Sequence, residues 1–332
     1  MRTNRTFEHR HYGHCETGVI SSLLRNEGLD LSEPMVFGLA SAIMFAYIPF
    51  IGMNNMPTIS YRSMPRTIIS GIQKILHIPF VKKTYGDEKK AMEELKTFAL
   101  NGRVVGLQTS AYWLPYFPPE MRFQFNAHNL IVFGMQNGDF QVSDPVFDHV
   151  VTIAPEDLQN ARFAKGIMAP KGFLYYPEVV PPAVDLPAAI RKSFKKTLFM
   201  MLSSPPPFGI RGILYIARVI EHMGQRRDQK YIRAFLGHMV RMQEEIGTGG
   251  GGFRFMYAAF LHEASVLLSE PMLLEASHKM TSVGDLWRQF ALACAKAIRN
   301  KTEAPDLAMI ANLLRKCGMV EREVYQMIRT LS

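Results

Sequence analysis

The stretch AHNLIVFGMQNGDFQVSDP, residues 127–145, contains two apolar segments separated by a turn. Asn129–Met135 and Phe140–Ser143 have the β-branched and aromatic content of strands, and Gln136–Asp139 contains the Asn-Gly pair that is typical of tight hairpin turns. The sequence therefore predicts an antiparallel β-hairpin at this point of the chain.

His128 and Asp144 lie at the open end of this hairpin, and their midpoint, residue 136, falls within the predicted turn. In a simple hairpin the two residues would lie directly opposite each other, with both side chains on one face of the sheet. The Asp carboxylate would then accept a hydrogen bond from one imidazole nitrogen and leave the other nitrogen for a third group.

Cys15 is the candidate for that third group, because it begins the predicted helix Cys15–Asn26, CETGVISSLLRN. A thiol at a helix start faces unpaired backbone N–H groups and the positive end of the helix dipole, which stabilise a thiolate. The three residues predict a nucleophile, Cys15, an acid/base, His128, and an orienting group, Asp144. Each also has an ordinary structural interpretation: a small core residue, a strand histidine satisfied by hydrogen bonds, and an Asp-Pro turn.

The rest of the first half alternates helix and strand patterns. A helix begins at Glu33 after a Ser32 cap, another covers Asp87–Leu100, and Arg103–Gln108 has a strand pattern. Helices followed by an antiparallel sheet predict the α+β class.

One stretch, Met35–Met53, carries no charge over 19 residues and approaches the length of a membrane span. Pro49 would end a helix there too early to cross a bilayer. We therefore predict a buried core helix followed by a loop, and no membrane partner.

A proline-rich linker divides the chain, since PEVVPPAVDLP, residues 177–187, holds four prolines. The segments beyond it with helical periodicity are Arg211–Met223, Gln229–Ile246, Phe253–Leu268, Ser282–Asn300 and Pro305–Cys317. We expect a catalytic domain at 1–178, a linker at 179–187 and an all-α domain at 188–332.

The chain of 332 residues has a formal net charge of +9, and this charge is uneven. Residues 1–180 carry 17 basic and 16 acidic side chains, whereas residues 181–332 carry 21 and 13, a net of +8. No basic block, aromatic-basic RNA motif or zinc-finger spacing accompanies the charge, so a nucleic acid partner is not expected. The helical half is the predicted docking surface for an acidic partner.

Three cysteines, Cys15, Cys294 and Cys317, are an odd number in a long chain and argue against a disulfide framework. The polar, basic start MRTNRTFEHRHYGHC has no apolar segment of a signal peptide. A cytoplasmic protein with reduced thiols is expected.

The runs HCETGVISSLLRNEGLDLSEPMVFGLASAIMFAYIP, SAYWLPYF and NAHNLIVFGMQNGDFQVSDPVF resemble the N-terminal domain of the butirosin biosynthesis protein H family. The run EEIGTGGGGFRFMYAAFLHEA is similar to the helical domain that often follows it. Both groups of motifs occur in the expected order and together cover most of the chain.

This resemblance implies a papain-like N-terminal domain, with helices packed on an antiparallel sheet, related to the peptidase domains of bacteriocin-exporting transporters. It also implies an acyltransferase of natural-product biosynthesis, whose founding member moves an aminoacyl group from an acyl carrier protein to an aminoglycoside amine. The implied partners are an acidic carrier protein, whose phosphopantetheine arm is the donor, and a small-molecule amine, with no bound cofactor. By resemblance, Cys15, His128 and Asp144 form the triad. A peptidase or amidase of the same fold and a non-catalytic binding module are the alternatives, and the oligomeric state stays open.

The second oxyanion donor departs from the papain-like pattern. Those enzymes have a Gln about six residues before the Cys, whereas this chain has His9. The backbone N–H of Cys15 supplies one donor, and His9, His14 and Gln108 are candidates for the other. His9, His11, His14 and Cys15 also suggest a metal, but a zinc-bound Cys15 would be no nucleophile, so no metal is predicted.

Two further features are substrate or carrier candidates. GTGGGG, residues 247–252, satisfies G-x-G-x-x-G but follows a helix pattern rather than a strand, so a nucleotide site is not expected. Gly249, Gly250 and Arg254 are candidates to hold a phosphate or carboxylate, with a packed interhelical turn as the alternative. The aromatic residues Tyr112, Trp113, Tyr116 and Phe117 are candidate walls of a substrate cleft, with simple packing as the alternative.

Overall fold

The computed structural model describes residues 7–53, 56–246 and 249–331. It contains two compact units: the first comprises Met1–Val36 and Ile68–Val184, and the second comprises Phe37–Thr67 and Asp185–Ser332. The α+β class with a helical C-terminal region is confirmed. Residues 37–67 belong to the helical unit, although they precede every strand of the first unit's sheet in the chain.

The helices and strands follow one another in chain order. Up to residue 184 they are α1 (Cys15–Asn26), α2 (Glu33–Leu39), β1 (Ile43–Met53), β2 (Met56–Arg62), α3 (Thr67–Leu76), β3 (Phe80–Lys83), α4 (Glu88–Leu100), β4 (Val105–Thr109), β5 (His128–Gln136), β6 (Asp139–Ser143), β7 (Val151–Ile153), α5 (Pro155–Arg162) and β8 (Leu174–Pro177). The later helices are α6 (Leu186–Leu198), α7 (Gly209–Glu221), α8 (Gln229–Glu244), α9 (Arg254–Leu268), α10 (Pro271–Arg299) and α11 (Leu307–Arg329).

The first unit is built on one antiparallel sheet with the strand order β3-β8-β4-β5-β6-β7. Helix α1 packs closely on the middle of one face, where a Cβ atom at Gly106 would lie 2.9 Å from Val19 Cγ1. The other face is covered by α4 and α5, whose Leu95 and Leu158 join the buried cluster with Leu130 and other strand residues. Because β5 is a central strand packed on both faces, the position of His128 at its start is fixed by the sheet.

The uncharged stretch Met35–Met53 does not fold as predicted. Helix α2 ends at Leu39, and β1 pairs antiparallel with β2 to form a hairpin in the helical unit. Strand conformation is favoured because Phe45 packs against Trp287 of α10, at a ring-centroid distance of 5.9 Å. Pro49 has no backbone N–H, and it is tolerated because it falls at the register shift between Ile48 and Gly52, where the ladder is interrupted.

Among the described residues, every helix is too short or too polar to span a lipid bilayer.

A buried ion pair lies inside the helical unit. Arg254 of α9 donates to Glu321 of α11 through Nε, at 3.2 Å, and Nη2, at 2.9 Å, and neither side chain is exposed. The Glu321 carboxylate also accepts from Trp287 Nε1 and from the Tyr325 hydroxyl. Because both charged side chains are buried, loss of either one leaves the charge of the other without compensation.

Replacement Glu321→Ala is therefore expected to lower the free energy of unfolding of the full chain by about 3–5 kcal/mol. The matched control is Glu323→Ala, two residues away, whose ion pair with Lys279 is half-exposed and is expected to contribute at most about 1 kcal/mol. Urea titration of both variants measures the difference. Equal stability losses would contradict a structural role of the buried pair.

Candidate active site

The β5–β6 hairpin sets the relation between His128 and Asp144. Its turn is the two-residue Asn137-Gly138 with φ of 53° and 94°, the left-handed conformation that such turns require. Gln136 accordingly pairs with Asp139, so the hairpin is centred between residues 137 and 138. The predicted direct pairing of His128 with Asp144 is wrong, because a tight Asn-Gly turn moves the centre away from residue 136.

A bulge restores the predicted face. Val132 pairs with Val142 and Gly134 with Gln141, which leaves Phe133 as an extra residue in β5. If the pairing past the bulge continues by one residue, Asp144 lies opposite Leu130. Leu130 and His128 are two residues apart in β5, so Asp144 lies on the same face of the sheet as His128. Without the extra residue, Asp144 would lie opposite a residue on the other face, since side chains alternate along a strand.

His128 and Asp144 are in direct contact. His128 Nε2 lies 2.7 Å from Asp144 Oδ2, and both side chains are almost completely buried. Asp144 also accepts from the Tyr116 hydroxyl at 2.9 Å and from the Val146 backbone N–H at 3.1 Å. These donors fix the orientation of the carboxylate.

The imidazole of His128 also interacts with Cys15. Burial opposes a charge on the ring, but the carboxylate of Asp144 and the sulfur of Cys15 outweigh it and raise the pKa of His128 to about 10. Since Nε2 faces Asp144, Nδ1 is the ring nitrogen left for the sulfur. The site therefore brings a sulfur, an imidazole and a buried carboxylate together in the order that a cysteine nucleophile requires.

Cys15 is held at the first position of α1. His14 caps this helix, its Nδ1 accepting from the Thr17 backbone N–H at 3.4 Å. The Cys15 sulfur lies 4.0 Å from the Ala127 carbonyl oxygen and 3.9 Å from Asn129 Nδ2. The residues immediately before and after His128 thus both contact the sulfur, which places the thiol at the start of β5.

Glu33, which the sequence suggested only as a helix start, supports the segment before the nucleophile. Its carboxylate accepts from the backbone N–H groups of Gly13, at 2.9 Å, and His14, at 2.7 Å, and from the Thr17 hydroxyl at 2.8 Å. Burial is the main cause of the raised pKa of Glu33, against which these donors act. The carboxylate therefore ties α2 to the start of α1 and fixes the backbone at Cys15.

The three oxyanion candidates already make other hydrogen bonds. His9 contacts the Ser143 hydroxyl at 2.7 Å and the Phe147 carbonyl at 3.1 Å through its two ring nitrogens. Gln108 Nε2 donates to the carbonyl oxygens of Asn126, at 2.6 Å, and Met168, at 3.2 Å. His14 caps α1 through Nδ1. A role for His9 or Gln108 in oxyanion binding would require a rearrangement of these contacts.

The same contacts separate the residues that suggested a metal. Within the ranges that the structure describes, no three His, Cys, Asp or Glu side chains are grouped to hold a metal ion.

Two of the four aromatic candidates contact the His128–Asp144 pair, and the other two are exposed. Tyr116 holds Asp144, and Phe117 packs edge-on against the His128 ring at 5.3 Å between centroids. Tyr112 and Trp113 follow the end of β4 and remain exposed, at 45% and 41%. Their rings form an edge-to-face pair with centroids 5.3 Å apart. Tyr112 and Trp113 are thus the two exposed members of the four aromatic candidates.

The glycine-rich loop belongs to the helical unit, and its residues Gly247 and Thr248 lie outside the described part of the chain. Gly249 and Gly250 have φ of 62° and 86°, and the next backbone N–H, of Gly251, faces both oxygens of Glu244 at 3.2 Å. Arg254 is engaged with Glu321 and with the carbonyl of Gly252. The protein's own carboxylates thus engage Arg254 and the N–H of Gly251, the residue after the predicted Gly249 and Gly250.

A cysteine at a helix start, a histidine at the start of an antiparallel strand and an aspartate after the next strand are the arrangement expected of a papain-like domain. Residues 14–145 match the family described as "Butirosin biosynthesis protein H, N-terminal". The N-terminal part of the chain thus carries the N-terminal domain of the butirosin biosynthesis protein H family. Residues 156–328 match "Domain of unknown function (DUF4872)".

Among solved structures, a putative C39-like peptidase from Bacillus anthracis is similar to part of this chain. The two share 16% sequence identity with a TM-score of 0.38, over 52% of this chain and 94% of the peptidase chain. None of the curated proteins compared with the chain matches it.

The His128–Asp144 pair predicts a specific pH dependence of stability. Because the pKa of His128 rises from the ordinary 6.5 to about 10 on folding, the pair stabilises the fold fully below pH 6.5 and loses its contribution as pH approaches 10. The melting temperature of the wild type should fall more steeply across this window than that of Asp144→Asn.

The control for this measurement is Asp148→Asn, because Asp148 contacts His149 in an exposed pair, which solvent screens. The melting temperature of Asp148→Asn should change with pH in parallel with that of the wild type. A wild-type profile parallel to that of Asp144→Asn would contradict a buried charged pair.

Proposed function

We propose that this protein is a cysteine-dependent acyltransferase that moves an acyl or aminoacyl group from an acyl carrier protein thioester to an amine. One observation carries the proposal: a thiol, an imidazole and a buried carboxylate are in contact in a member of a biosynthetic family. The carrier-bound thioester donor and the amine acceptor are proposed from the family resemblance.

The first step forms an acyl-enzyme. The Cys15 thiolate attacks the thioester carbonyl, the carbon–sulfur bond to the phosphopantetheine arm breaks, and the departing thiolate takes the proton of the His128 imidazolium. The N–H of Cys15 at the helix start stabilises the oxyanion. Asp144 keeps Nε2 engaged throughout, so that Nδ1 is the nitrogen that exchanges the proton.

The second step transfers the acyl group to the amine. As the amine nitrogen attacks the acyl-enzyme carbonyl, the now neutral His128 accepts its proton, and the Cys15 thiolate leaves. The products are an amide and the thiolate-imidazolium pair with which the cycle began. A peptidase or amidase would share the acyl-enzyme and differ only in water being the acceptor.

The positively charged helical half supports docking of an acidic carrier protein. Helix α6 exposes four basic side chains and holds no acidic residue: Arg191, Lys192, Lys195 and Lys196. Three of them, Arg191, Lys192 and Lys195, line a surface depression of about 580 Å³. Attraction between opposite charges accelerates such encounters. We expect the protein to act in the cytoplasm, where its three unpaired thiols stay reduced.

The acyl-enzyme is directly measurable. Incubation with an acyl-loaded carrier protein should add the mass of one acyl group to the wild-type chain, and the adduct should be absent in Cys15→Ala. His128→Ala should slow its formation about 100-fold or more, the usual contribution of a positioned acid/base. Intact-protein mass spectrometry resolves these outcomes.

The acceptor is then identified by the decay of the adduct. Decay that an added primary amine accelerates, with amide product, is expected for the transferase, whereas decay at the same rate in water alone would select a hydrolase. Cys294→Ala, which removes a buried thiol of the helical unit, is the control and should keep the adduct. No adduct with any thioester or peptide would favour the non-catalytic module.

Carrier docking predicts a dependence on salt that a small donor lacks. Transfer from carrier protein should slow as ionic strength rises, because screening weakens attraction between separated charges, while transfer from a free pantetheine thioester should not. Lys192→Glu/Lys195→Glu should reproduce the loss for the carrier-bound donor only. The control Lys89→Glu/Lys90→Glu changes two exposed lysines of α4 and should have a smaller effect. Equal salt dependence for both donors would contradict the helical half as a carrier receptor.

A further inference from the structure

We infer that Asn129 is a fourth catalytic residue, whose side-chain N–H holds the Cys15 thiolate and whose orientation is maintained by Tyr175. The inference rests on the proposed function and adds a residue that neither the triad spacing nor the resemblance indicated. It is carried by three contacts of one buried amide: Nδ2 to the Cys15 sulfur at 3.9 Å, Nδ2 to the Ala127 carbonyl at 3.0 Å, and Oδ1 from the Tyr175 hydroxyl at 2.9 Å.

These contacts determine which end of the amide faces the sulfur. The Ala127 carbonyl oxygen only accepts hydrogen bonds, so the Asn129 atom 3.0 Å away must be the nitrogen. The Tyr175 hydroxyl must then donate to Oδ1. Burial, followed by the charges of Glu16 and Cys15, raises the pKa of Tyr175 well above its ordinary value, so the hydroxyl stays a donor at any working pH. The second Nδ2 hydrogen is thereby directed to the sulfur.

The strands of the sheet position Asn129 and Tyr175 next to the Cys15 sulfur. Asn129 follows His128 in β5, so its side chain lies on the opposite face of the sheet, which α1 covers. Tyr175 lies on β8 opposite Gly106 of β4, and a Cβ at Gly106 would come within 2.7 Å of the Tyr175 ring. The glycine therefore makes the room in which the phenol reaches the Asn129 amide. One strand thus supplies two adjacent residues that reach the sulfur from different sides.

An N–H donor at this position acts differently on the states of the reaction. It stabilises the thiolate before acylation and again when the thiolate leaves in the amide-forming step. In the acyl-enzyme the sulfur is part of a thioester, a weak acceptor that gains little from the same donor. When the carbon–sulfur bond breaks in the second step, its electron pair stays on the Cys15 sulfur. The Asn129 N–H then donates a hydrogen bond to this charged sulfur. Interactions that strengthen as charge develops are those that accelerate a reaction.

The test is the rate of Cys15 alkylation by iodoacetamide, measured from low to high pH by peptide mass spectrometry on the full chain. Asn129→Ala should slow alkylation at neutral pH about tenfold and move the midpoint of the pH profile upward by about one unit, the effect expected for one hydrogen bond to a charged atom. Tyr175→Phe, which keeps the ring and removes only the hydroxyl, should have a smaller effect in the same direction. The double variant should match Asn129→Ala, because Tyr175 acts only through Asn129.

Tyr176→Phe is the matched control, an identical change on the next residue of β8, and should leave the rate and the profile unchanged. Thermal unfolding of each variant establishes that it folds, and Tyr175→Phe carries the test if Asn129→Ala does not. Additive effects in the double variant, or a wild-type profile in Asn129→Ala, would overturn the inference.

His128→Ala separates this inference from the proposed function. If His128→Ala slows alkylation and Asn129→Ala does not, the triad stands and only the role of Asn129 fails. If wild-type Cys15 reacts no faster than Cys15 in His128→Ala, the proposed function itself fails, and the inference fails with it.

Discussion

The hydrogen bond between His128 Nε2 and Asp144 Oδ2, 2.7 Å long and buried, is the contact on which the candidate site depends. A charged pair in such surroundings is costly to desolvate and persists only where further donors compensate it. Here Tyr116 and the Val146 backbone N–H supply that compensation. With Nε2 occupied by Asp144, the imidazole has one remaining nitrogen, Nδ1, for Cys15.

That contact depends in turn on a single extra residue. The Asn-Gly turn alone would set Asp144 on the face opposite to His128, and the bulge at Phe133 brings it back. The same strand then presents His128 to Asp144 on one side and Asn129 to the sulfur on the other. The bulge in the antiparallel sheet therefore decides which side chains lie near the Cys15 sulfur.

Much of this arrangement was predictable from local patterns. The start of α1 at Cys15, the two strands of the hairpin and the helical second half follow from periodicity, capping and turn residues, which act over a few neighbours. The exact register was not predictable, because no pattern in NLIVFGM distinguishes a bulge at Phe133 from a regular strand. The strand at Ile43–Met53 was missed because its conformation is set by packing on Trp287, more than 200 positions away in the chain.

The same distinction explains the supporting residues. Arg254 beside a glycine-rich loop suggested an anion site, yet its partner is Glu321, 67 residues later, and only tertiary structure brings them together. Tyr175 likewise contacts Asn129 across 46 residues of sequence, and Glu33 contacts groups 16 to 20 residues before it. Asn129 had one available signal, its position next to the candidate base, but a strand neighbour faces the other side of the sheet and is ordinarily excluded from the same site.

The central claim is that Cys15 is a nucleophile activated by its neighbours, and the chain holds its own controls. Burial raises the pKa of Cys294 to about 12 and that of Cys317 further still. Competitive alkylation of the folded protein at neutral pH, read site by site, compares the three thiols in one experiment. We predict that Cys15 reacts at least about 100-fold faster than the other two, since the fraction of thiolate falls tenfold for each unit of pKa. Equal labelling of Cys15, Cys294 and Cys317 would contradict the account.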